Sequence, residues 1–212
     1  MTIGTPLDPG IILEPNPNGN VGDQSNSYTR LIGELQFLVN AMWPNIAFTI
    51  SHLLAYMANL TMQHVSTLKH ILHYLSGIRT YGITYNNVLG HPNHFLGYAN
   101  ASFTNTDDLK SITRYVFMMA SSVITWFSKK QSITAMSTTE AEYIALSEAA
   151  CEARWLRNLF SELGFTQTLL TMIRGNNNGS IAMLKNLQFY KWSVMILPPF
   201  FHFPYLRNPM CP

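Results

Sequence analysis

The chain has 212 residues, enough for one medium domain or a domain plus part of another, and 47% of them are hydrophobic, a globular composition. Only 11% are charged and the formal net charge is +2, against about a quarter charged in average soluble domains, so the totals imply no strong polyanion-attracting field. No uncharged apolar run reaches the roughly 20 residues of a membrane span, and MTIGTPLDPG lacks a basic region followed by an apolar one, which points to a cytoplasmic or nuclear product, not a secreted one, with no membrane partner.

Residues 1–26 carry four prolines and four glycines and read as an extended arm or linker. A helix is predicted over Ser27–Val39, with Leu31, Leu35 and Leu38 on one face, and Pro44 opens a second over Asn45–Met57. A third, Met62–Leu75, stops at Gly77, completing a small helical subdomain. His70 and His73 lie one turn apart, but no further ligands share the pattern, so surface or interhelical roles are expected of them instead of metal binding. From Tyr81 the period changes: Tyr81–Asn86, His94–Asn100, Ile112–Ala120 and Ser122–Phe127 read as strands, with Ala120-Ser121-Ser122 a poor but possible hairpin turn. Leu169–Arg174 reads as a short strand and Gly179–Asn186 as a helix; beyond Phe189 the pattern dissolves. Two cysteines, Cys151 and Cys211, make no disulfide framework and suggest a reducing compartment.

The longest helical pattern is Ser137–Phe165, STTEAEYIALSEAACEARWLRNLFSELGF. Ser137 and Glu140 have capping-box spacing, and Gly164 sits where a helix stops. Leu146, Ala149, Ala153, Leu156, Phe160 and Leu163 form an apolar stripe, with Glu142 one turn ahead of it and Glu140, Glu148 and Arg157 off it. A carboxylate heading a buried stripe either meets a metal, a base or a donor cluster, since unpaired burial costs several kcal/mol, or sits solvated in a frayed first turn that favours acids. Both readings stand on spacing alone. The element order gives a mixed sheet with helices packed on it, an α/β or α+β layout.

The segment YTRLIGELQFLVNAMWPNIAFTISHLLAYM resembles the end of the reverse transcriptase of copia-type LTR retrotransposons, and QHVSTLKHILHYLSGI is similar to its following helix. GYANASF, RYVFMMASSVITWFSKKQ, the S-T-T-E-A-E-Y helix ending in W-L-R, and NNNGSIAMLKN then follow, in order, the ribonuclease H domain of the same Pol polyprotein. The likeness runs from Pro6 to about Phe189 and implies an arm (1–26), a helical remnant of the reverse transcriptase (27–80), an incomplete ribonuclease H-like domain (81–189) and a degenerate tail (190–212) lacking the family's last strand and helix.

Ribonuclease H hydrolyses the RNA of an RNA–DNA hybrid with two Mg²⁺ ions about 4 Å apart, held in the family by three aspartates and one glutamate; no small-molecule cofactor is implied. Glu142 matches the glutamate, which favours a functional origin for its placement. The first-strand motif G-Y-S-D-A-D-W is GYANASF here, putting Asn100 at a catalytic aspartate and Ser102 at the next acid; C-D-N-Q-S-A-I is GNNNGSI, putting Asn176 at another; the last aligns near Leu197. Asp107 and Asp108 read as a solvated turn. One carboxylate and two amides cannot neutralise two dications, so the resemblance implies poor Mg²⁺ binding and a defective enzyme. Lys110, Arg114, Lys129, Lys130 and Gln131 are the expected nucleic-acid contacts, with an ordinary solvated turn as the alternative; affinity for hybrid or RNA should be weak. Trp43, His70, His73 and Trp192 stand for family Arg, Asn45, Asn100 and Asn176 for Asp, Arg114 for Gly and Tyr190 for His. Each replacement needs a single C-to-T or G-to-A change, as cytosine deamination of silenced repeat DNA would leave. The alternative function is a transposon-derived, non-catalytic nucleic-acid-binding or protein-interaction module.

Overall fold

In the computed structural model of the chain, residues 4–8, 10–11, 13–16, 24–85, 94–103 and 109–185 are described. Two compact units divide it, Met1–Ile83 and Thr84–Pro212.

In the first unit α1 spans Gln24–Ala41 and buries Tyr28, Ile32, Leu35 and Val39 at three- and four-residue steps. Of Leu31, Leu35 and Leu38, only Leu35 is buried; the buried face is rotated because Tyr28 points inward, its hydroxyl donating to the Leu53 carbonyl at 3.3 Å. Pro44 opens a 3-10 turn, Pro44–Ile46, leading into α2, Ala47–Leu54, shorter than its pattern suggested. The residues up to Met57 pass into i→i+3 turns instead. α3, Met62–Gly77, starts at Thr61, whose backbone N–H donates to Nδ1 of the fully buried His64 at 2.9 Å. The leading arm is docked here: Leu13 is buried and its carbonyl accepts from the Tyr56 hydroxyl (2.9 Å), while the Asn16 amide donates to Leu60 (2.8 Å). His70 Nε2 sits 2.9 Å from the Thr5 carbonyl, a structural role.

The second unit is built on four strands, β1 Leu96–Ser102, β2 Ile112–Met119, β3 Ser122–Lys130 and β4 Met172–Arg174, in the order β3-β2-β1-β4. β1, β2 and β3 are antiparallel neighbours, whereas β4 lies parallel to β1 after the crossover helix α4, Thr138–Glu162. A short α5, Asn178–Lys185, follows and packs on α4. This mixed α/β sheet with packed helices agrees with the ribonuclease H-like layout that the resemblance implies. The tail at 190–212, with the strand and helix thought to be missing, lies outside the described residues. Residues 81–85 are not a strand, and no ladder partner lies beside them among the described residues; the Tyr85 hydroxyl donates to the Val123 carbonyl (2.8 Å).

The core joins Phe95, Ala99, Phe117, Leu146, Ala149, Ala153 and Leu156, with Ile173 and Phe160 packed against it. Alanines at 141, 145, 149 and 153 let α4 lie close on the sheet. Leu163, expected at the end of the buried stripe, is 60% exposed, because the helix stops at Glu162 and Gly164 takes φ +82°. Gly97 admits no side chain: a Cβ there would stand 2.5 Å from the Phe117 ring. The β2–β3 turn is made by Ala120 and Ser121 at φ 50° and 63°, left-handed geometry without a glycine. Cys151 is half-buried in α4, and Cys211 lies outside the described residues.

Candidate functional site

β1 has an antiparallel neighbour, β2, on one side and a parallel one, β4, on the other, so the carboxyl ends of β1 and β4 lie toward the same edge of the sheet. The β1–β4 register ends at Tyr98↔Arg174, two residues short of Asn100 and Asn176. Gly175 fits under Leu146, where a Cβ would come within 3.3 Å, so β4 leaves the sheet against α4. Asn177 then caps α5, its Oδ1 accepting the Ser180 N–H at 2.8 Å. Asn176 stays exposed.

α4 begins at the same corner. The Ser137 hydroxyl accepts the Glu140 N–H at 3.1 Å, while the Glu140 carboxylate takes the Met136 N–H at 2.7 Å, one residue further back than a capping box. Gln131 pins this turn to the sheet: its Nε2 donates to the Ala141 carbonyl and to Thr113 Oγ1, both at 3.0 Å. The first turn is therefore held, not frayed, and Glu142 is only 7% exposed. Its carboxylate has a hydrogen bond with the backbone of Ala101, next to Asn100, while its Oε2 is buried without a partner. Desolvation raises the Glu142 pKa, and the Ala101 bond draws it partly back. Glu142 thus reaches the β1 backbone next to Asn100, while strand alternation puts the Asn100 side chain with Arg114 on the face away from α4, and Asn176 lies exposed beyond the end of the β1–β4 pairing.

The donor set does not suit a pair of magnesium ions. Among the described residues no three His, Cys, Asp or Glu side chains gather as a metal site. A lone carboxylate with amide carbonyls gives neither the charge nor the bridging oxygens that Mg²⁺ needs to shed its waters. Ser102, at the next acid position, pairs with Ile112 in the β1–β2 ladder, and Asp107, Asp108 and Leu197 lie outside the described residues.

The five expected nucleic-acid contacts do not form one surface. Gln131 is 2% exposed and committed to the α4 anchor, so its amide is structural; its partners, Thr113 and Ala141, were invisible in the local sequence. Lys129 lies on the α4 side, where its charge acts on Glu148. Strand alternation puts Lys130 and Arg114 on the opposite face, and Arg114 stands directly across the ladder from Asn100. Burial lowers the Arg114 pKa. Lys110 precedes β2, half-buried.

Two carboxylates that the apolar stripe left out prove to be inside the α4–sheet interface. Glu152 accepts from the Thr125 hydroxyl (3.0 Å) and the Tyr115 hydroxyl (3.3 Å), and Glu148 from the Thr113 side chain. Burial is the main cause of the raised pKa of both Glu148 and Tyr115. Their signal in the sequence is faint: hydroxyl residues at alternate strand positions facing an i, i+4 acid pair.

No family model matches the chain, and no solved structure matches it. It is 30% identical over 189 residues, 89% of its length, to the retrovirus-related Pol polyprotein from transposon RE1 of Arabidopsis thaliana, and 30% identical over 164 residues to that from transposon TNT 1-94 of Nicotiana tabacum. It spans 13% and 12% of the length of those two relatives. It is also 32% identical over 130 residues to secreted RxLR effector protein 161 of Plasmopara viticola, covering 90% of that protein and 61% of itself. With Pol matches running through both units, the chain belongs to the retrovirus-related Pol polyproteins of transposons.

Proposed function

We propose that the chain is the reverse transcriptase-to-ribonuclease H region of a copia-type Pol polyprotein whose hybrid-cleaving centre has been dismantled. The observation that carries this is Glu142: a buried carboxylate with an unpartnered oxygen, hydrogen-bonded to the β1 backbone at Ala101, next to Asn100. Such a placement is unfavourable in a protein that never held a cation there, and it is intelligible where two aspartates once shared the charge of metal ions. The substitutions Asp to Asn keep shape and remove charge, so the corner keeps its form without its chemistry.

The test is cleavage of a labelled RNA–DNA hybrid in Mg²⁺ and in Mn²⁺. The chain as it stands should leave the RNA intact. Restoring acids with Asn100→Asp and Asn176→Asp should bring back measurable metal binding at the corner, and Glu142→Gln should abolish that gain. Hybrid cleavage by the unaltered chain, lost in Glu142→Gln, would refute the proposal.

The effector name of the Plasmopara viticola relative gives no second reading. The letters R-x-L-R are spelled here by Arg154–Arg157 within α4, where Leu156 is buried and the Arg157 guanidinium donates to the carbonyls of Leu169 (2.8 Å) and Gln167 (2.6 Å). That position supports the fold and presents no motif.

A further inference from the structure

The turn at 56–61, between α2 and α3, holds the leading arm on one side and the start of α3 on the other. The Tyr56 hydroxyl donates to the Leu13 carbonyl at 2.9 Å and the Asn16 side-chain amide to the Leu60 carbonyl at 2.8 Å. The Asn16 backbone N–H donates to the Asn59 carbonyl at 3.1 Å. At the end of the same turn the Thr61 N–H donates to His64 Nδ1 at 2.9 Å, with Thr61 Oγ1 2.7 Å from that nitrogen. The Tyr56 and His64 rings lie together, their centroids 4.5 Å apart. The arm is thus latched to a turn whose shape depends on one imidazole.

That imidazole fits only when neutral. Nδ1 accepts, so the ring proton sits on Nε2, which is buried without a partner. A second proton must go to Nδ1, where it turns the acceptor into a donor facing the Thr61 N–H and puts a charge on a fully buried ring. The titratable rings placed against His64 are His52 of α2, itself a base, and Tyr56 of the turn. Among the described residues of this unit the acids are Asp8 and Glu14 on the arm and Glu34 on α1, all exposed, as are the cations Arg30, Lys69 and Arg79. No buried carboxylate there can take up the charge. Burial, then His52, disfavours the protonated ring, so the latched form holds above the unfolded value of 6.5 and gives way as pH falls below it. His70 behaves differently: its Nε2 stands 2.9 Å from the Thr5 carbonyl, which can only accept, so a protonated ring keeps that contact.

We propose that residues 5–16 form a strap that acid releases at one end: a proton on His64 breaks the Thr61 cap, the turn at 56–61 loosens, and the 13–16 end lifts while His70 keeps Thr5. What the lifting uncovers is apolar, since Leu13, Tyr56 and Leu60 are all buried beneath or within it. The device lies within the first unit and does not rest on the hybrid-cleavage reading.

The test is hydrogen exchange of the full chain between pH 7.5 and 5.5, read at the Asn16 amide as protection corrected for the intrinsic pH dependence of exchange. Protection should fall by about tenfold per pH unit below 6.5, the slope that one proton sets, while amides in the middle of α1 keep theirs. His64→Gln places at the third helical position a residue that serves there in capping boxes and that does not titrate, so its Asn16 protection should be flat. Tyr56→Phe, which deletes the Leu13 latch, should lower protection at both pH values. The His64 ring resonances of the unaltered chain, followed by NMR, should titrate over the range in which Asn16 protection falls. Unchanged protection at pH 5.5, an equal loss in α1, a steep profile retained in His64→Gln, full protection in Tyr56→Phe, or a His64 titration outside that range would each overturn the strap.

Discussion

Replacing Glu142 by glutamine should stabilise the second unit at neutral pH and do nothing in acid. Glu142 is 7% exposed, its carboxylate has a hydrogen bond with the Ala101 backbone, and Oε2 is left without a donor. Leaving a buried group of this kind unsatisfied costs about 1–3 kcal/mol, with charged groups at the upper end; the amide of glutamine would itself lack one partner, so the net gain should be about 1 kcal/mol. Because desolvation raises the pKa in the fold, the folded state holds the proton more tightly than the unfolded chain. Stability from this group is therefore full below the unfolded value of 4.5 and is lost as pH rises through the folded value. The variant lacks that loss, so the two proteins should match near pH 4 and diverge by pH 7. For a domain near 100 residues, 1 kcal/mol is roughly 4–8 °C in Tm. Urea and thermal unfolding across that pH range measure it. A glutamine variant that is less stable at pH 7, or that differs from the parent equally at both pH values, would refute the claim that Glu142 is a stranded charge.

Three further outcomes follow from single contacts. The β2–β3 turn forces Ala120 and Ser121 to positive φ, which costs L-residues roughly 1–2 kcal/mol each, so Ala120→Asn with Ser121→Gly should raise unfolding free energy by about 1–2 kcal/mol; no gain in urea midpoint would show the turn is unstrained. Arg157 donates to Leu169, Gln167 and Thr171 at once, a forked geometry that lysine lacks, so Arg157→Lys should lower stability by about 1–2 kcal/mol, and an unchanged midpoint would remove the clamp. His64 accepts the Thr61 N–H on Nδ1, and burial, then the neighbouring His52, lowers its pKa. The unfolded chain then binds the proton more readily, so the first unit should lose stability as pH falls through 6.5; a flat profile between pH 7.5 and 5.5 would refute this.

What the sequence disclosed depended on the range of the cause. α4 was legible because its signals are local: Ser137 caps it, Gly164 ends it, and the alanine and leucine repeat marks its buried face. The position of Glu142 one turn ahead of that repeat was visible too, though only the Gln131 anchor from the preceding loop decided that the first turn is held. Gln131 misled for the same reason. Two lysines before it suggested a basic, phosphate-facing loop, whereas Thr113, eighteen residues earlier on β2, draws its amide inside. Tyr81–Asn86 reads as a strand, but residues 81–85 have no strand beside them among the described residues, which periodicity cannot register. Arg157 looked like a surface residue by helical phase; its role comes from the chain returning at 167–171.

The restored acids at the corner carry a stability consequence of their own. The described contacts that hold this unit together are packing and hydrogen bonds: Phe117 covers Gly97, Leu146 covers Gly175, Gln131 ties α4 to β2, and Arg157 ties it to the approach of β4. On the function proposed above, asparagine at positions 100 and 176 stands in place of acids that shared a metal centre with Glu142, removing charge while keeping size. Like charges brought within a few ångströms disfavour one another's ionised forms, so Asn100→Asp and Asn176→Asp should each lower stability at pH 7 without metal, and the pair by more than the sum of the two. Mg²⁺ that binds the restored corner should return the loss in a concentration-dependent way, since a ligand of the folded state alone stabilises by mass action. Unfolding midpoints of the single and double variants with and without Mg²⁺ read both effects. Variants as stable as the parent in the absence of metal would mean that positions 100 and 176 do not share an electrostatic corner with Glu142, and the dismantled centre would have to lie elsewhere.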